Sequence, residues 1–277
     1  MGAVAIMIIK AIILDWAGTT VDYGSRAPTL AFREVFKREG VPIKDLEART
    51  PMGKAKRDHI AAIAAMPRVV RSWKRKRGSV IGKEDIDRMY ERFLPIQKEL
   101  LLTHSDVIPG VVEAIRQCRE WGIKIGSTTG YSRELMEVVA PIAAAQGYSP
   151  DVIVCADDVA KGRPSPQMNL RAAELLGVPP SSEVLVLDDT TVGCEAGKRA
   201  GCIAVGVSKT GNMLGMTLQE IEAEDPEEME DALIDVDWPL REAGARFVIP
   251  AVADLPDLIQ QLEEDYQWRN RHRLPAE

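Results

Sequence analysis

Short apolar runs recur along the chain and alternate with segments of helical periodicity. Each run has the length and the apolar character of a buried β-strand. The runs lie at 11–14, 123–127, 152–155, 184–187 and 204–207. Amphipathic segments of helical pattern lie at 110–121, 133–146, 166–176 and 193–200. This alternation predicts an α/β fold, in which helices cover both faces of a Rossmann-like parallel sheet.

The segment between the first two runs has a different pattern. From 24 to 103 it shows helical periodicity and almost no strand signal. Within it, Thr50 has the side chain of a helix N-cap and Pro67 marks a helix end, so we expect one helix between them. We therefore predict an all-helical insert at 24–103, placed after the first strand and above the C-terminal edge of the sheet. The α/β core then comprises 1–23 and 104–277.

Composition and charge are those of a globular protein with a substantial core. The chain has 277 residues, 45% of them hydrophobic, which allows one large domain or two smaller ones. A net charge of −7 argues against a nucleic-acid partner, whose binding domains are usually basic. The basic stretch at 68–78 would support such a partner, but we interpret it as a solvated surface.

The cysteines and the N-terminal segment bear on location. The four cysteines form no CxxC pair, which is typical of free thiols in a reducing compartment. The N-terminal apolar stretch contains Lys10 and is shorter than the roughly 20 residues that span a bilayer. We interpret it as the first strand with a short N-terminal extension, and we expect a cytoplasmic protein without a membrane partner.

Asp15 directly follows the first apolar run, at the edge where open α/β sheets bind ligands. Its carboxylate is placed to attack phosphorus and form an aspartyl-phosphate, although a turn or N-cap Asp has the same spacing. Many phosphoryl-transfer enzymes carry a second Asp two positions later, where this chain has Ala17. The site is therefore either inactive or cuts a bond that needs no second acid.

Later strand ends also carry polar groups. Thr129 and the N–H groups after it are placed to bind phosphate oxygens at a helix N-terminus. Arg163 offers a fixed cation that would neutralise a transferring phosphoryl group. Asp188 and Asp189 follow a buried run and suit Mg²⁺, which prefers oxygen ligands. Each group has an ordinary alternative: a capping turn, a solvated loop arginine, or a turn with one N-capping Asp.

The order of these groups resembles the haloacid dehalogenase superfamily, and the helical insert resembles its cap domain. More closely, the segments DWAGTT, MGKAKRDH, STTGYSRE, GRPSPQM and KRAGCIAVGV are similar to the phosphonoacetaldehyde hydrolase family. The similarity covers nearly the whole chain. Its most specific marks are D-W-A-G-T, which begins at Asp15, and M-G-x-x-K-x-D-H at 52–59.

The resemblance implies Mg²⁺-dependent hydrolysis of the C–P bond of phosphonoacetaldehyde to acetaldehyde and phosphate. It implies a Schiff base on Lys56 and a phosphoryl group on Asp15, so that an enamine leaves and no acid is needed at Ala17. The catalytic set would be Asp15, Lys56, His59, Tyr131 and Met52. Thr129, Gly130 and Arg163 would bind the phosphonate. Asp15, the carbonyl of Ala17 and Asp189 would bind the metal, with Asp188 as second choice.

The residues around Lys56 give this assignment some physical support. On a helix, Met52, Lys56 and His59 fall on one face. We expect the neighbouring cations Lys54 and Arg57 to lower the pKa of Lys56, and His59 to move protons. The alternatives are a solvated Lys56 and a purely structural His59.

One position departs from the superfamily pattern. Many members have a further acid four residues after the metal-binding Asp, where this chain has Gly193. Either Asp188 compensates for the missing acid or the acid is dispensable, and the sequence leaves both open.

Other functions remain alternatives at this point. One is a Mg²⁺-dependent phosphomonoesterase or phosphomutase of the same superfamily, which Ala17 disfavours. Another is a non-catalytic binding protein on the same scaffold, which is disfavoured by the joint presence of Asp15, Lys56, Arg163 and Asp189. The family resemblance further suggests a homodimer through cap helices that contain Trp73 and Met89.

Overall fold

Six parallel strands form one sheet in a computed structural model that describes residues 8–271. The strands are β1 (Ala11–Leu14), β2 (Lys124–Thr128), β3 (Val152–Val154), β4 (Val184–Asp188), β5 (Ile203–Val207) and β6 (Phe247–Ile249). Their order is β3-β2-β1-β4-β5-β6, the doubly wound order of Rossmann-type sheets. The predicted α/β fold is confirmed, with β1 at the centre and an additional edge strand, β6, that the sequence analysis missed.

Helices cover both faces of this sheet. They are α6 (Val111–Glu120), α7 (Arg133–Ala145), α8 (Gln167–Leu176), α9 (Thr191–Arg199), α10 (Leu218–Ala223), α11 (Pro226–Glu242) and α12 (Leu255–Arg271). Side chains alternate along each strand. Ile12 and Leu14 accordingly pack with residues of α6, α7 and α12, whereas Ala11 and Ile13 pack with α8. The sheet is thus buried on both faces, and the C-terminal ends of its strands are the places where polar side chains can form a site.

Five helices lie between β1 and α6. They are α1 (Arg26–Arg38), α2 (Asp45–Arg49), α3 (Lys56–Ala64), α4 (Pro67–Arg77) and α5 (Lys83–Leu101). They enclose an apolar cluster of their own, which includes Phe32, Ile63 and Phe93. We call α1 to α5 the cap. The cap lies inside the predicted insert at 24–103, and the exact domain boundaries stay a prediction.

Two details of the cap differ from expectation. The single helix expected between Thr50 and Pro67 is wrong: α2 ends before Thr50, a turn follows, and α3 begins at Lys56. The turn contains Gly53 with a φ of +87°, a left-handed value that suits glycine. Trp73 and Met89 are buried in the cap cluster, so these two side chains offer no surface to a second subunit.

The two connections between core and cap are hydrogen-bonded to each other. Val21 on the outgoing connection forms an antiparallel bridge with Val107 on the returning one. The Asp22 N–H donates to the carbonyl of Asp106 at 3.0 Å, and the Ile108 N–H donates to the carbonyl of Thr20 at 3.0 Å. The chain therefore leaves the core and returns to it at one place.

The C-terminal part completes the core. The acidic stretch at 222–237 falls largely within α11, whose Val236 and Leu240 pack against β5. No helix among residues 8–271 is long and apolar enough to cross a membrane. The proposed N-terminal extension falls on residues 1–7, and the polar tail ends at 272–277; both lie outside the described residues.

Candidate active site

The C-terminal ends of three neighbouring strands bring polar side chains together. Asp15 follows β1, Thr129 follows β2, and Asp188 and Asp189 close β4. Carboxylate oxygens of Asp15, Asp188 and Asp189 lie within 4.8 Å of one another, and all three side chains are buried. Parallel strands end at the same edge of a sheet, which explains why residues so distant in sequence meet there.

Arg163 lies between two of these carboxylates. Its guanidinium pairs with Oδ1 of Asp15 at 2.8 Å and with Oδ2 of Asp188 at 3.1 Å. It also donates to the carbonyl and to Oγ1 of Thr128, at 3.1 and 2.8 Å. Burial acts against its charge, but the two carboxylates outweigh burial and raise the pKa of Arg163. The predicted cation is thus fixed in place beside the predicted nucleophile.

Asp189 is held by groups from two other loops. Its Oδ2 accepts a hydrogen bond from the backbone N–H of Asn212 at 2.6 Å, and its Oδ1 accepts one from Oγ1 of Thr19 at 3.1 Å. Gly18 packs so closely that a Cβ there would lie 2.3 Å from Oδ2 of Asp189. Burial, reinforced by the charges of Asp15 and Asp188, raises the pKa of Asp189 well above its usual range.

Asp188 is also fully engaged with its neighbours. Its Oδ1 accepts hydrogen bonds from the backbone N–H and Oγ1 of Thr190, at 2.9 and 2.6 Å, and its Oδ2 pairs with Arg163. Burial raises the pKa of Asp188 to about 7, although Arg163 acts in the opposite direction. The carboxylate lies directly against Gly193.

The donor set fits a divalent cation. Three buried carboxylates lie close together with one guanidinium among them, and burial, together with the charge of the neighbouring carboxylates, raises the pKa values of Asp188 and Asp189. Hard oxygen ligands of this kind suit Mg²⁺. Ala17 and Asp15 line one cavity, whereas Asp188 and Asp189 are not among its lining residues. The assignment of Asp15, Asp189 and the carbonyl of Ala17 as ligands, with Asp188 second, stays a prediction.

Lys56 is the first residue of α3 and reaches the same cavity from the cap. It is only 6% exposed, and its Nζ lies 4.7 Å from the ring centroid of Tyr131 and 5.7 Å from that of Phe32. The pKa of this amine is lowered to about 8, mainly by burial and against the attraction of Asp15. The expected direction was right but its expected cause was wrong: Arg163, not Lys54 or Arg57, is the cation that contributes.

Met52 and His59 are placed differently around Lys56. Met52 lies in the turn before α3 and lines the cavity, so the expected shared helix face is wrong for this residue. His59 is buried behind Lys56, stacks on Phe32 with ring centroids 3.7 Å apart, and donates from Nε2 to the carbonyl of Ala48 at 2.7 Å. Burial, then the charge of Lys56, lowers its pKa well below the usual value. His59 does not line the cavity, and its proton-transfer role stays a prediction.

The cavity between cap and core collects most of the predicted site residues. It is lined by Asp15, Ala17, Ser25, Pro28, Met52, Gly53, Lys56, Thr129, Gly130, Tyr131, Arg163 and Thr190. Its volume is ≈ 20 Å³, a little more than a single water molecule needs, which is about 10–15 Å³. The space between cap and core is therefore narrow where these side chains meet.

Several residues of the site were missed by the sequence analysis. Thr19 and Asn212 hold Asp189, and Ser25 lines the cavity with a buried hydroxyl that has no hydrogen-bond partner. Thr19 lies within the quoted DWAGTT segment, so its position was a usable signal. Asn212 acts through its backbone N–H, which no side-chain motif reveals.

Comparison with known proteins gives a consistent picture. A family model described as haloacid dehalogenase-like hydrolase matches residues 9–201. Phosphonoacetaldehyde hydrolase of Paraburkholderia xenovorans (strain LB400) is 48% identical over 255 residues, which are 92% of this chain and 96% of the relative. The enzyme of the same name from Bacillus anthracis is 43% identical over 258 residues, which are 93% and 98% of the two chains.

Solved structures agree with these matches. A phosphonoacetaldehyde hydrolase-like protein from Oleispira antarctica matches with a TM-score of 0.91 and 39% identity, over 95% of this chain and 96% of that one. A β-phosphoglucomutase from Clostridium difficile matches with a TM-score of 0.66 at 20% identity, over 93% and 98% of the chains, and shows the fold alone.

Proposed function

The chain belongs to the phosphonoacetaldehyde hydrolase family of haloacid dehalogenase-like hydrolases, and we propose that it hydrolyses the C–P bond of phosphonoacetaldehyde to acetaldehyde and phosphate. The observation that carries the proposal is the placement of Lys56. A buried amine with a pKa of about 8 shares one cavity with a carboxylate, Asp15, at the end of the central strand. This pair suits a substrate with an aldehyde at one end and phosphorus at the other.

The first stage takes place on Lys56. Its uncharged amine attacks the aldehyde carbon, and loss of water gives an imine, which is protonated to an iminium. Burial provides the uncharged amine, because it lowers the pKa of Lys56 from 10.5 to about 8. The aromatic faces of Tyr131 and Phe32 lie beside the amine and form an apolar wall around the new bond.

The second stage takes place on Asp15. Arg163, Thr129 and Gly130 line the part of the cavity next to this carboxylate and would bind the phosphonate oxygens. The carboxylate of Asp15 attacks phosphorus, the C–P bond breaks, and its electron pair moves into the iminium to leave an enamine on Lys56. A magnesium ion held by Asp15 and Asp189, with the Ala17 carbonyl, would supply positive charge to the phosphoryl oxygens.

Water completes the cycle. One water hydrolyses the phosphoryl group from Asp15 and releases phosphate. The enamine takes a proton at carbon, and a second water hydrolyses the resulting imine to free Lys56 and acetaldehyde. Since one water is lost when the imine forms, the net reaction consumes a single water.

Ala17 supports a C–P bond over a phosphate ester as the substrate. An alkoxide leaving group needs an acid, and the methyl group of Ala17 supplies no proton. The enamine needs none, because the iminium has already accepted the electron pair. The small cavity further implies that the cap opens to admit substrate and closes to bring Lys56 over Asp15.

The setting of the enzyme is also part of the proposal. The substrate is a small phosphonate, and neither nucleic acid nor membrane is required. We place the protein in the cytoplasm and expect a homodimer. Trp73 and Met89 are buried, so a dimer through the cap would use other side chains of α4 and α5.

Reductive trapping tests the proposal. The protein is incubated with phosphonoacetaldehyde and Mg²⁺, reduced with borohydride, and mapped by mass spectrometry, while an unreduced sample is assayed for phosphate and acetaldehyde. We expect a two-carbon adduct on Lys56 and both products. Lys56→Arg should lose adduct and products, whereas the matched control Lys54→Arg should keep both. Absence of adduct and phosphate from the wild type would refute the proposal.

A second assay separates this function from that of a phosphatase. The protein is given p-nitrophenyl phosphate, whose leaving group hardly needs an acid, and an alkyl phosphate ester. Slow cleavage of the first compound with none of the second is expected. Efficient cleavage of the alkyl ester would instead support the phosphomonoesterase alternative.

A further inference from the structure

Arg49, the last residue of α2, crosses from the cap to the core. Its guanidinium donates to the carbonyl of Gly24 at 2.8 Å, to that of Gly215 at 2.9 Å and to that of Asn212 at 3.2 Å. The amide Nδ2 of Asn212 donates back to the carbonyl of Arg49 at 3.3 Å. Arginine suits such a junction because its planar group presents several donors in fixed directions.

The loop that receives Arg49 is the loop that holds Asp189. The backbone N–H of Asn212 donates to Oδ2 of Asp189 at 2.6 Å. Two glycines fit the loop closely to both partners: a Cβ on Gly215 would lie 2.4 Å from Cζ of Arg49, and one on Gly211 would lie 2.5 Å from Cβ of Asp189. A displacement of this loop would therefore shift both Arg49 and Asp189.

The connection between core and cap is tied to the same loop. The N–H of Gly24 donates to the carbonyl of Thr210 at 2.8 Å, and Oγ1 of Thr210 donates to the carbonyl of Gly18 at 2.8 Å. Gly24 in turn accepts from Arg49. Cap, connection and the backbone next to Ala17 thus meet on one short loop at 210–215.

We propose that Arg49 is a positioning residue that couples closure of the cap to cation binding at Asp189, through the 210–215 loop. Opening of the cap withdraws Arg49 from the 210–215 loop. Asn212 is then held less firmly, and Asp189 loses the hydrogen bond from its backbone N–H. A cation on Asp189 holds the loop and so favours the closed cap. Thermodynamic linkage requires that cap closure strengthen cation binding by the same free energy by which cation binding favours the closed cap. The inference rests on the metal site of the proposed function, but Arg49 itself contacts neither metal nor substrate.

Two measurements on the substrate-free protein test this coupling. Arg49→Met is compared with the matched control Arg33→Met, which removes an ion pair to Asp45 at 2.8 Å within the cap itself. Titration calorimetry gives the Kd for Mg²⁺, and hydrogen exchange by NMR follows the Asn212 amide with and without Mg²⁺. For Arg49→Met we expect about tenfold weaker Mg²⁺ binding, a typical coupling, and faster exchange at Asn212 even without metal. Arg33→Met should match the wild type.

A conservative variant separates positioning from general damage. Arg49→Lys keeps a single charged donor and should fall between the wild type and Arg49→Met in both measurements. Circular dichroism establishes that each variant is folded. Unchanged Mg²⁺ affinity or unchanged Asn212 exchange in folded Arg49→Met would overturn the coupling while leaving the proposed function intact. Failure of the proposed function is seen separately, as absence of phosphonoacetaldehyde turnover by the wild type.

Discussion

The carboxylate of Asp188 occupies the space beside the α-carbon of Gly193. A Cβ on Gly193 would lie 1.8 Å from Cγ of Asp188, far inside van der Waals contact. Thr190 and Arg163 hold Asp188 in that position. The site therefore has room for an acid from residue 188 or from residue 193, but not from both. In this chain Asp188 brings a carboxylate to the place that Gly193 leaves empty.

Gly193→Asp should destabilise the protein, whereas the exchange Asp188→Gly/Gly193→Asp should recover much of the loss. Overpacking at a buried site costs about 1–3 kcal/mol, and relocating the acid removes the collision. Urea unfolding measures both. Gly82→Asp is the matched control: Gly82 precedes α5 in an open N-cap position, where Asp is favourable. Equal stability of Gly193→Asp and wild type would contradict the predicted collision between the side chains of residues 188 and 193.

The rate of imine formation should rise with pH and level off above about 8, the pKa of Lys56. Below that pH the amine is mostly protonated and unreactive, and above it the uncharged form predominates. Single-turnover borohydride trapping from about pH 6 to about pH 10, roughly two units on either side of the lowered pKa, gives the profile. If the rate still increases tenfold per pH unit above 9, about one unit beyond the lowered pKa, burial does not lower the pKa of the Lys56 amine.

Arg163→Met should cost about 3–5 kcal/mol at neutral pH, because it leaves the buried carboxylates of Asp15 and Asp188 without their cation. The pKa of Asp188 is already raised to about 7, and losing Arg163 raises it further. A raised folded-state pKa means that stability is lost as pH increases through it. The deficit relative to wild type should therefore be larger at pH 8 than at pH 5, as measured by urea unfolding. A deficit independent of pH would contradict this account.

Gln97→Met should stabilise the cap. Gln97 lies fully buried in α5, and its side-chain amide lies near the hydroxyl of Tyr131 without forming a hydrogen bond of normal geometry. Burial of an unbonded amide costs about 1–3 kcal/mol, and Met has a similar length without that cost. Thermal unfolding should show a higher Tm. Gln146→Met is the contrasting control, since Gln146 bonds to Val107 and Ser105 and its loss should lower the Tm.

The sequence predicted five of the six strands and missed one of the two edge strands, β6. β1 to β5 coincide with the short runs from which they were predicted, and their observed ends lie within one residue of the predicted ends. β6 is a three-residue strand bounded by Arg246 and Pro250, so its apolar run is shorter than the runs of four or five residues from which the other strands were predicted. The break before Lys56 was missed because a turn that packs a glycine against Thr190 is decided by tertiary contact, not by local pattern.

The residues of the site also fall into two groups, those that the sequence predicted and those that it missed. Asp15, Lys56, Thr129 and Arg163 were predicted to lie together, and they line one cavity, while their chemical roles stay predictions. Arg49 and Asn212 escaped notice because they are 163 residues apart and meet through backbone atoms as well as side chains. Local sequence carries no information about such a meeting.

The bridge between Val21 and Val107 makes the cap a detachable module. The chain leaves the core and returns to it at adjacent points, so a short peptide would close the gap if everything between them were removed. The core could thus have existed first and gained the cap as an insertion, without any change in the order of its strands. The same geometry would allow a different cap to be inserted at this place while the residues on the sheet are retained.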